Sequence, residues 1–183
     1  MTEDEQKCLD AFPAWLRGLA SDIERIGEIM AVAELPDPAR RALAGSLNYL
    51  FKSLDLIPDG IDDIGFLDDA FVLRCACEHA LREDISALPP ELLRDLNRLA
   101  EDVELIKGLL GPEFARLDDY VKGLRKGAAR GRSVLDILSD EETQKAFLTD
   151  VRSFAASYVP PSFAREEKNL VKLRAFFDAK LPK

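Results

Sequence analysis

The sequence predicts an all-α protein, and three features of it carry that prediction. Apolar residues recur in steps of three and four through most of the 183-residue chain, as a helix with one buried face requires. No stretch alternates with period two for long enough to form a strand. Most of the 10 glycines and 10 prolines fall between the periodic segments, where they punctuate the chain. The expected architecture is a bundle or orthogonal array of about seven to eight helices around a central helical hairpin, built as one domain over 1–183.

The elements follow in order. Thr2 and Glu5 stand at capping-box spacing and open a first turn. Pro13 suits the first turn of a long helix running to about Glu34. Its Leu16, Leu19, Ile23, Ile26, Met30 and Ala33 form one stripe, widened by Trp15 and Ile29. Leu35-Pro36-Asp37-Pro38 then breaks and restarts the chain, with Asp37 as N-cap and Pro38 at the first helical position. The next helix aligns Leu43, Leu47, Leu50 and Leu54 and ends near Leu56, because Pro58 disfavours helix at Ile57. A third helix spans about Leu67 to Arg82, with Phe71, Val72, Ala76 and Ala80 suited to burial.

Pro89-Pro90 starts a helix to about Leu110, with Leu92, Leu96, Leu99, Val103, Ile106 and Leu110 on one face. This stripe and that of the first helix are too short for a sustained coiled coil and fit an antiparallel pair inside one bundle. Gly111-Pro112 is a stop and restart ahead of Phe114, Leu117, Val121 and Leu124. After the Gly-rich stretch from Gly127 to Gly131, Ser133 caps a short turn. Ser139 with Glu142 gives a second capping box ahead of Phe147, Val151, Phe154 and Tyr158. Pro160-Pro161 separates a final helix carrying Phe163, Leu170, Leu173, Phe177 and Leu181. The seam at 127–133 sets off residues 133–183 as a C-terminal helical appendage.

Composition excludes several functions. With 34 acidic against 25 basic residues and a net charge of −9, the overall field repels a phosphate backbone, so no nucleic-acid partner is expected. The N-terminus Met1-Thr2-Glu3-Asp4-Glu5 lacks a basic-then-apolar leader. No run approaches the ~20 apolar residues that span a bilayer, so a soluble cytoplasmic protein is expected. Cys8, Cys75 and Cys77 are too few for a disulfide framework and read as reduced, buried thiols. His79 is the only histidine, which rules out helical di-iron centres with two Glu-x-x-His motifs. It reads as a packed structural residue. No Gly-rich phosphate loop is present, and no catalytic residue is assigned.

One segment stands apart. Between Asp55 and Asp69 lie six aspartates and no basic residue: Asp55, Asp59, Asp62, Asp63, Asp68 and Asp69. Turn geometry accounts for some of them. Asp59 follows Pro58 at an N-cap position for a turn through Ile64, and Gly65 takes the left-handed conformation that ends it. Asp68 and Asp69 sit where free helical N–H groups favour carboxylates. Asp55 opposes the dipole of the preceding helix and calls for a donor across the turn. Asp62 and Asp63 are left as exposed charge. All six are candidates for contact with a partner or a cation. No cofactor is required, although hard ions such as Mg²⁺ or Ca²⁺ suit clustered carboxylates. The run does not match an EF-hand loop.

The string Leu54-Asp55-Leu56-Ile57-Pro58-Asp59, followed by Gly65-Phe66-Leu67-Asp68-Asp69, resembles the YkvA-like family, a bacterial domain of unknown function, over residues 39–83. The resemblance implies a helical hairpin with a patterned acidic connection, and no reaction. Charges at Arg40, Arg41, Lys52, Arg74 and Glu78 set this chain apart from more hydrophobic, membrane-associated relatives. The expected function is a non-enzymatic interaction or adaptor protein using the acidic loop to recognise a protein partner. The alternatives are a divalent-cation-dependent enzyme acting on a phosphorylated small molecule, and a peripheral membrane protein. The last would use the basic run Lys122, Arg125, Lys126, Arg130 and Arg132, which has no aromatic to stack a base and reads as a mobile connection.

Overall fold

The capping box at Thr2 forms as its spacing predicts. The Glu5 N–H donates to the Thr2 hydroxyl at 3.1 Å, and the Thr2 N–H donates to the Glu5 carboxylate at 2.6 Å. In the computed structural model, which describes residues 1–61 and 63–183, this cap starts a single helix, α1 (Glu3–Met30). The expected start at Pro13 is thereby corrected. With the first N–H groups already satisfied upstream, the helix runs through Pro13. It then stops short of Glu34 and leaves Ala33 exposed, while Leu16, Leu19, Ile23, Ile26 and Met30 are all buried.

Helix α2 (Asp37–Tyr49) follows Pro36, with no side-chain cap. Asp37 lies inside its first turn and pairs with Arg41 at 2.8 Å instead of capping. The helix also ends earlier than Leu56. The N–H groups of Leu50, Phe51 and Lys52 donate to the carbonyls of Leu47, Asn48 and Tyr49, all at 3.1 Å. Such three-residue bonds tighten a last turn and divert the chain from the helix axis. Leu54, expected to continue the apolar stripe, is 83% exposed as a result.

Helix α3 (Leu67–Ala80) is the centre of the molecule, buried at every residue from Leu67 to Cys77. That includes Arg74, whose guanidinium meets Asp102 at 2.9 Å, Asp22 at 3.7 Å and the Trp15 ring at 4.1 Å. The expected helix over 90–110 is two, α4 (Pro90–Glu101) and α5 (Val103–Leu110). They part at Asp102, the residue that turns to Arg74. After a 3₁₀ turn at Gly111–Glu113, where Gly111 has φ 54°, α6 spans Phe114–Gly123.

The Gly-rich stretch is a small hairpin rather than a loose connection. Strand β1 (Ala128–Ala129) pairs antiparallel with β2 (Arg132–Ser133). Arg130 and Gly131 turn between them at φ 49° and 75°, the doubly left-handed geometry of a tight hairpin. Helix α7 (Val134–Ser139) carries the Ser133 cap, completed by Asp136. For α8 (Glu141–Ser157) the cap is Asp140, not Ser139. Asp140 accepts from the Thr143 N–H at 2.9 Å, while the Ser139 hydroxyl donates back to the Leu135 carbonyl at 2.7 Å. Helix α9 (Glu167–Lys180) begins after Phe163, which packs edge-on against Phe12 at 5.9 Å.

The all-α expectation holds, with nine α-helices among the described residues. Helix α1 is the spine, lying against α2, α3, α4, α5, α8 and α9. Residues after the hairpin join the same core: Phe177 stacks on Phe71 at 5.3 Å, and the Tyr158 hydroxyl donates to the Leu16 carbonyl at 2.8 Å. No helix among the described residues is long and apolar enough to cross a membrane.

Candidate functional site

The loop from α2 to α3 is organised by a residue that sequence reasoning missed. Tyr49, buried in the last turn of α2, donates its hydroxyl proton to Asp68 Oδ2 at 2.5 Å and accepts the Leu56 N–H at 2.7 Å. The Ile57 N–H donates to the same Asp68 oxygen at 3.2 Å. Asp68 thus reaches back across the loop and clamps it, instead of serving its own helix end. A tyrosine ending an apolar helix directly ahead of an acidic segment was the signal to read, because a buried phenol needs partners.

The backbone of the loop is shaped differently from expectation. Gly65 is not the left-handed residue. Asp63 and Phe66 are, at φ 73° and 67°. Gly65 is required for space: a Cβ there would lie 2.5 Å from the Asp59 carbonyl and 3.0 Å from that of Ile61. Phe66 is held in place by its ring, edge-on to Tyr158 at 5.1 Å. Asp63 is half-buried and tolerates the left-handed region better than most residues, so it has a structural role that sequence reading denied it. Asp62 lies outside the described residues. Asp59 caps no helix; the turn there closes through the Ile61 N–H to the Pro58 carbonyl at 3.0 Å.

The carboxylates gather with only partial compensation, Asp68 Oδ2 from Tyr49 and the Ile57 N–H, and Asp55 from the Lys52 charge. Asp55 Oδ1, Asp68 Oδ1 and Asp69 Oδ2 are buried and accept no hydrogen bond; the donor expected for Asp55 is absent there among the described residues. Burial, reinforced by the Asp59 and Asp68 charges, pushes the Asp55 carboxyl up to about 7. Burial lifts Asp68 to about 6 against the pull of Tyr49 and the Ile57 N–H. Asp69, wholly buried beside Asp68, is raised well above the carboxylate range, and Asp59 is raised by partial burial. Elsewhere buried or half-buried aspartates are paired: Asp22 with Arg98, Asp102 with Arg74, Asp118 with Lys122 and Asp150 with Arg132. Among the described residues, no Lys or Arg forms an ion pair with Asp55, Asp59, Asp63, Asp68 or Asp69. Nor does any group of three or more His, Cys, Asp and Glu stand ready to hold a metal ion. Such a cluster takes up protons, or opens to a cationic group from outside.

The basic run is placed around the hairpin. Lys122 pairs with Asp118 at 2.6 Å and Arg132 with Asp150 at 2.8 Å. Arg130 lies over the Phe51 ring at 4.8 Å. Arg125 and Lys126 form no ion pair among the described residues. His79 is buried, its Nε2 2.6 Å from Asp118 Oδ1, and burial holds its pKa below the ordinary value despite that partner. All three cysteines are free and buried. Burial raises the Cys8 thiol to about 11 and the other two further, so none is a ready nucleophile.

The family described as "Protein of unknown function (DUF1232)" matches residues 39–74, which run from α2 through the acidic loop to Arg74. No curated protein and no solved structure matches the chain. The matched span holds the Tyr49–Asp68 clamp, the close approach at Gly65 and the buried Arg74. Residues 39–74, which carry the Asp-x-Ile-Pro-Asp and Gly-aromatic-x-Asp-Asp strings of the YkvA-like resemblance, are thus similar to DUF1232.

Proposed function

We propose that this chain is a non-enzymatic interaction protein that offers the 55–63 part of its acidic loop to a cationic partner. The observation that carries the reading is the lack of ion pairs on the loop aspartates among the described residues, in a fold that pairs its buried and half-buried aspartates elsewhere with Arg or Lys. An arginine or lysine brought by a partner would meet carboxylates already short of counter-charge, the condition for a specific charge-assisted contact. The clamp at Tyr49 holds the loop in shape beforehand, which lowers the ordering cost of binding.

The test is a titration of the ¹⁵N-labelled chain with a synthetic peptide of alternating Arg and Leu, at low and at physiological salt. Amide shifts concentrated in 55–63, weakened by salt and abolished in Asp55→Asn/Asp59→Asn/Asp63→Asn, support the reading. Shifts spread evenly over the acidic surface, or unchanged in that variant, oppose it.

A second reading is favoured by the orphaned buried oxygens of Asp55, Asp68 and Asp69: a hard divalent cation at the same loop. Mg²⁺ is commonly held by only one or two protein carboxylates plus water, so it does not need the three-residue cluster that the described residues lack. Calorimetric titration with Mg²⁺, Ca²⁺ and Mn²⁺ separates the two. Binding below millimolar that vanishes in Asp68→Asn supports the cation, and heats unchanged by that substitution remove it.

A further inference from the structure

The turn 51–54 at the exit of α2 and the 128–131 hairpin enclose a cleft of about 520 Å³. Phe51, Lys52, Ser53, Leu54, Ala128, Ala129, Arg130 and Gly131 line it. Two features mark it out from an ordinary crease. Its walls are mainly apolar, with Ala128, the Leu54 side chain and an edge of the largely buried Phe51, and Leu54 is the most exposed large hydrophobic residue among those described at 83%. Its charged groups are cationic. Among the described residues, neither Lys52 nor Arg130 has a carboxylate within ion-pair distance. Lys52 Nζ reaches only the Tyr120 hydroxyl, at 3.4 Å. The Arg130 guanidinium rests over the Phe51 ring at 4.8 Å on a backbone held at φ 49°.

A non-glycine residue in the left-handed region carries strain that the surroundings must offset. Here that conformation sets Arg130 at the tip of the hairpin, over the cleft wall. Concave, largely apolar sites with a few convergent polar groups are where small ligands bind. In a chain of net charge −9, two unpaired cations at the mouth of one apolar cleft select against cations and for an anion. The lining of the cleft excludes a bare inorganic ion as the best occupant, since most of that surface would stay unfilled. A cleft with cations at the rim and hydrocarbon walls is complementary to a single acyl or alkyl chain ending in an anionic head.

We propose that the cleft between Phe51–Leu54 and the 128–131 hairpin binds a single-chain amphiphile with an anionic phosphate or carboxylate head, the head on Lys52 and Arg130 and the chain along Phe51, Leu54 and Ala128. The site takes a ligand of opposite charge from the acidic loop and is read at 51–54 and 128–131, so its failure is distinguishable from failure of the partner reading above.

The probe is octyl phosphate, kept below its micelle concentration and titrated into the ¹⁵N-labelled full chain. The expected result is saturable binding below millimolar, with amide shifts at 51–54 and 128–131. Inorganic phosphate and octanol, each half of the ligand, should bind at least about 10-fold more weakly, since head and chain each supply more than about 1.4 kcal/mol. Lys52→Gln/Arg130→Gln should weaken octyl phosphate about 10-fold or more and leave octanol unchanged. Arg130→Lys, which keeps the charge, should retain most of the affinity and shows that the hairpin is intact. Phosphatidic acid vesicles distinguish the source: co-sedimentation that needs Lys52 and Arg130 assigns the head to a bilayer, and its absence alongside octyl phosphate binding assigns it to a free amphiphile. No saturable shift, shifts elsewhere on the surface, or equal affinity in the Gln variant would overturn the proposal.

Discussion

Asp69 concentrates the chemistry of the acidic loop in one side chain, since it is buried beside a second carboxylate with an oxygen that meets no donor. Burial pushes the Asp55 carboxyl up to about 7 and holds Asp68 above the carboxylate range in the fold, against about 4 in an unfolded chain. Between about pH 4 and 7 the folded state therefore holds protons that the unfolded state has released, and this contribution to stability falls as pH rises. His79, with a lowered folded pKa, acts in the opposite sense: its contribution is lost as pH falls below about 6.5. Comparison with Asp69→Asn isolates the carboxyls, because Asn keeps the shape of the protonated acid. The variant is expected to melt higher than the natural chain at pH 8 and about equally near pH 4, where the unfolded carboxyl is itself substantially protonated, by roughly 2–4 °C for each kcal/mol recovered. A lower melting temperature at both pH values would show that Asp69 is held ionised. Two neighbours test the clamp itself. Tyr49→Phe removes one of the two donors to Asp68 Oδ2, strands the Leu56 N–H and should cost about 1–3 kcal/mol in denaturant unfolding. Gly65→Ala forces a methyl against the Asp59 carbonyl and should cost about 1–3 kcal/mol by the same measurement, even though alanine is the better helix former.

At the scale of elements, sequence was a good guide wherever one local force decided the outcome. The capping boxes at Thr2 and Ser133 formed because the same few residues supply donor and acceptor. The stripes on α1, α4 and α5 are buried as their spacing requires. It failed where tertiary contacts chose between local options. Pro13 looked like a second start although the cap at Thr2 was legible, because a proline suits a first turn and whether the helix runs on through it is not fixed locally. The end of α2 at Tyr49 coincides with a phenol reaching Asp68, nineteen positions on, and the 90–110 helix breaks at Asp102, which pairs with Arg74 on α3. The acidic loop was legible as a site to examine, but the separation of its carboxylates into clamp, strain and orphaned charge was not, since all six share one residue type. The α8 cap offers a direct check. Asp140→Ala should cost about 1 kcal/mol, and Ser139→Ala should be nearly silent, because the Ser139 hydroxyl only bonds back to the Leu135 carbonyl. Denaturant midpoints of the two variants compare them; equal losses would return the cap to Ser139.

Over the whole molecule, the question is whether the chain after the hairpin is an attachment or part of the core. Phe71 on α3 lies between Phe12 at 5.5 Å and Phe177 at 5.3 Å, and Phe51 meets Phe147 at 6.0 Å. These aromatic contacts join the DUF1232 segment to both α1 and the last two helices. Stripping away α8 and α9 would open Phe51 and Phe71 to water, and surface of that kind stabilises only when covered. Cooperative unfolding of a single unit follows from this continuity. Trp15 is the only tryptophan and sits on α1 against Phe12 and Phe71, so its fluorescence reports the α1–α3 contact while far-UV circular dichroism reports all helices. The two signals should give one coincident denaturant transition. Phe147→Ala, which removes a fully buried ring from α8, should cost about 3–5 kcal/mol and move both signals by the same amount. If the fluorescence midpoint stayed in place while the dichroism midpoint fell, α8 and α9 would be an appendage on an independently stable hairpin core. A joint shift makes the acidic loop part of one cooperative unit, so that a partner binding at Asp59 stabilises α8 and α9 as much as it stabilises the loop.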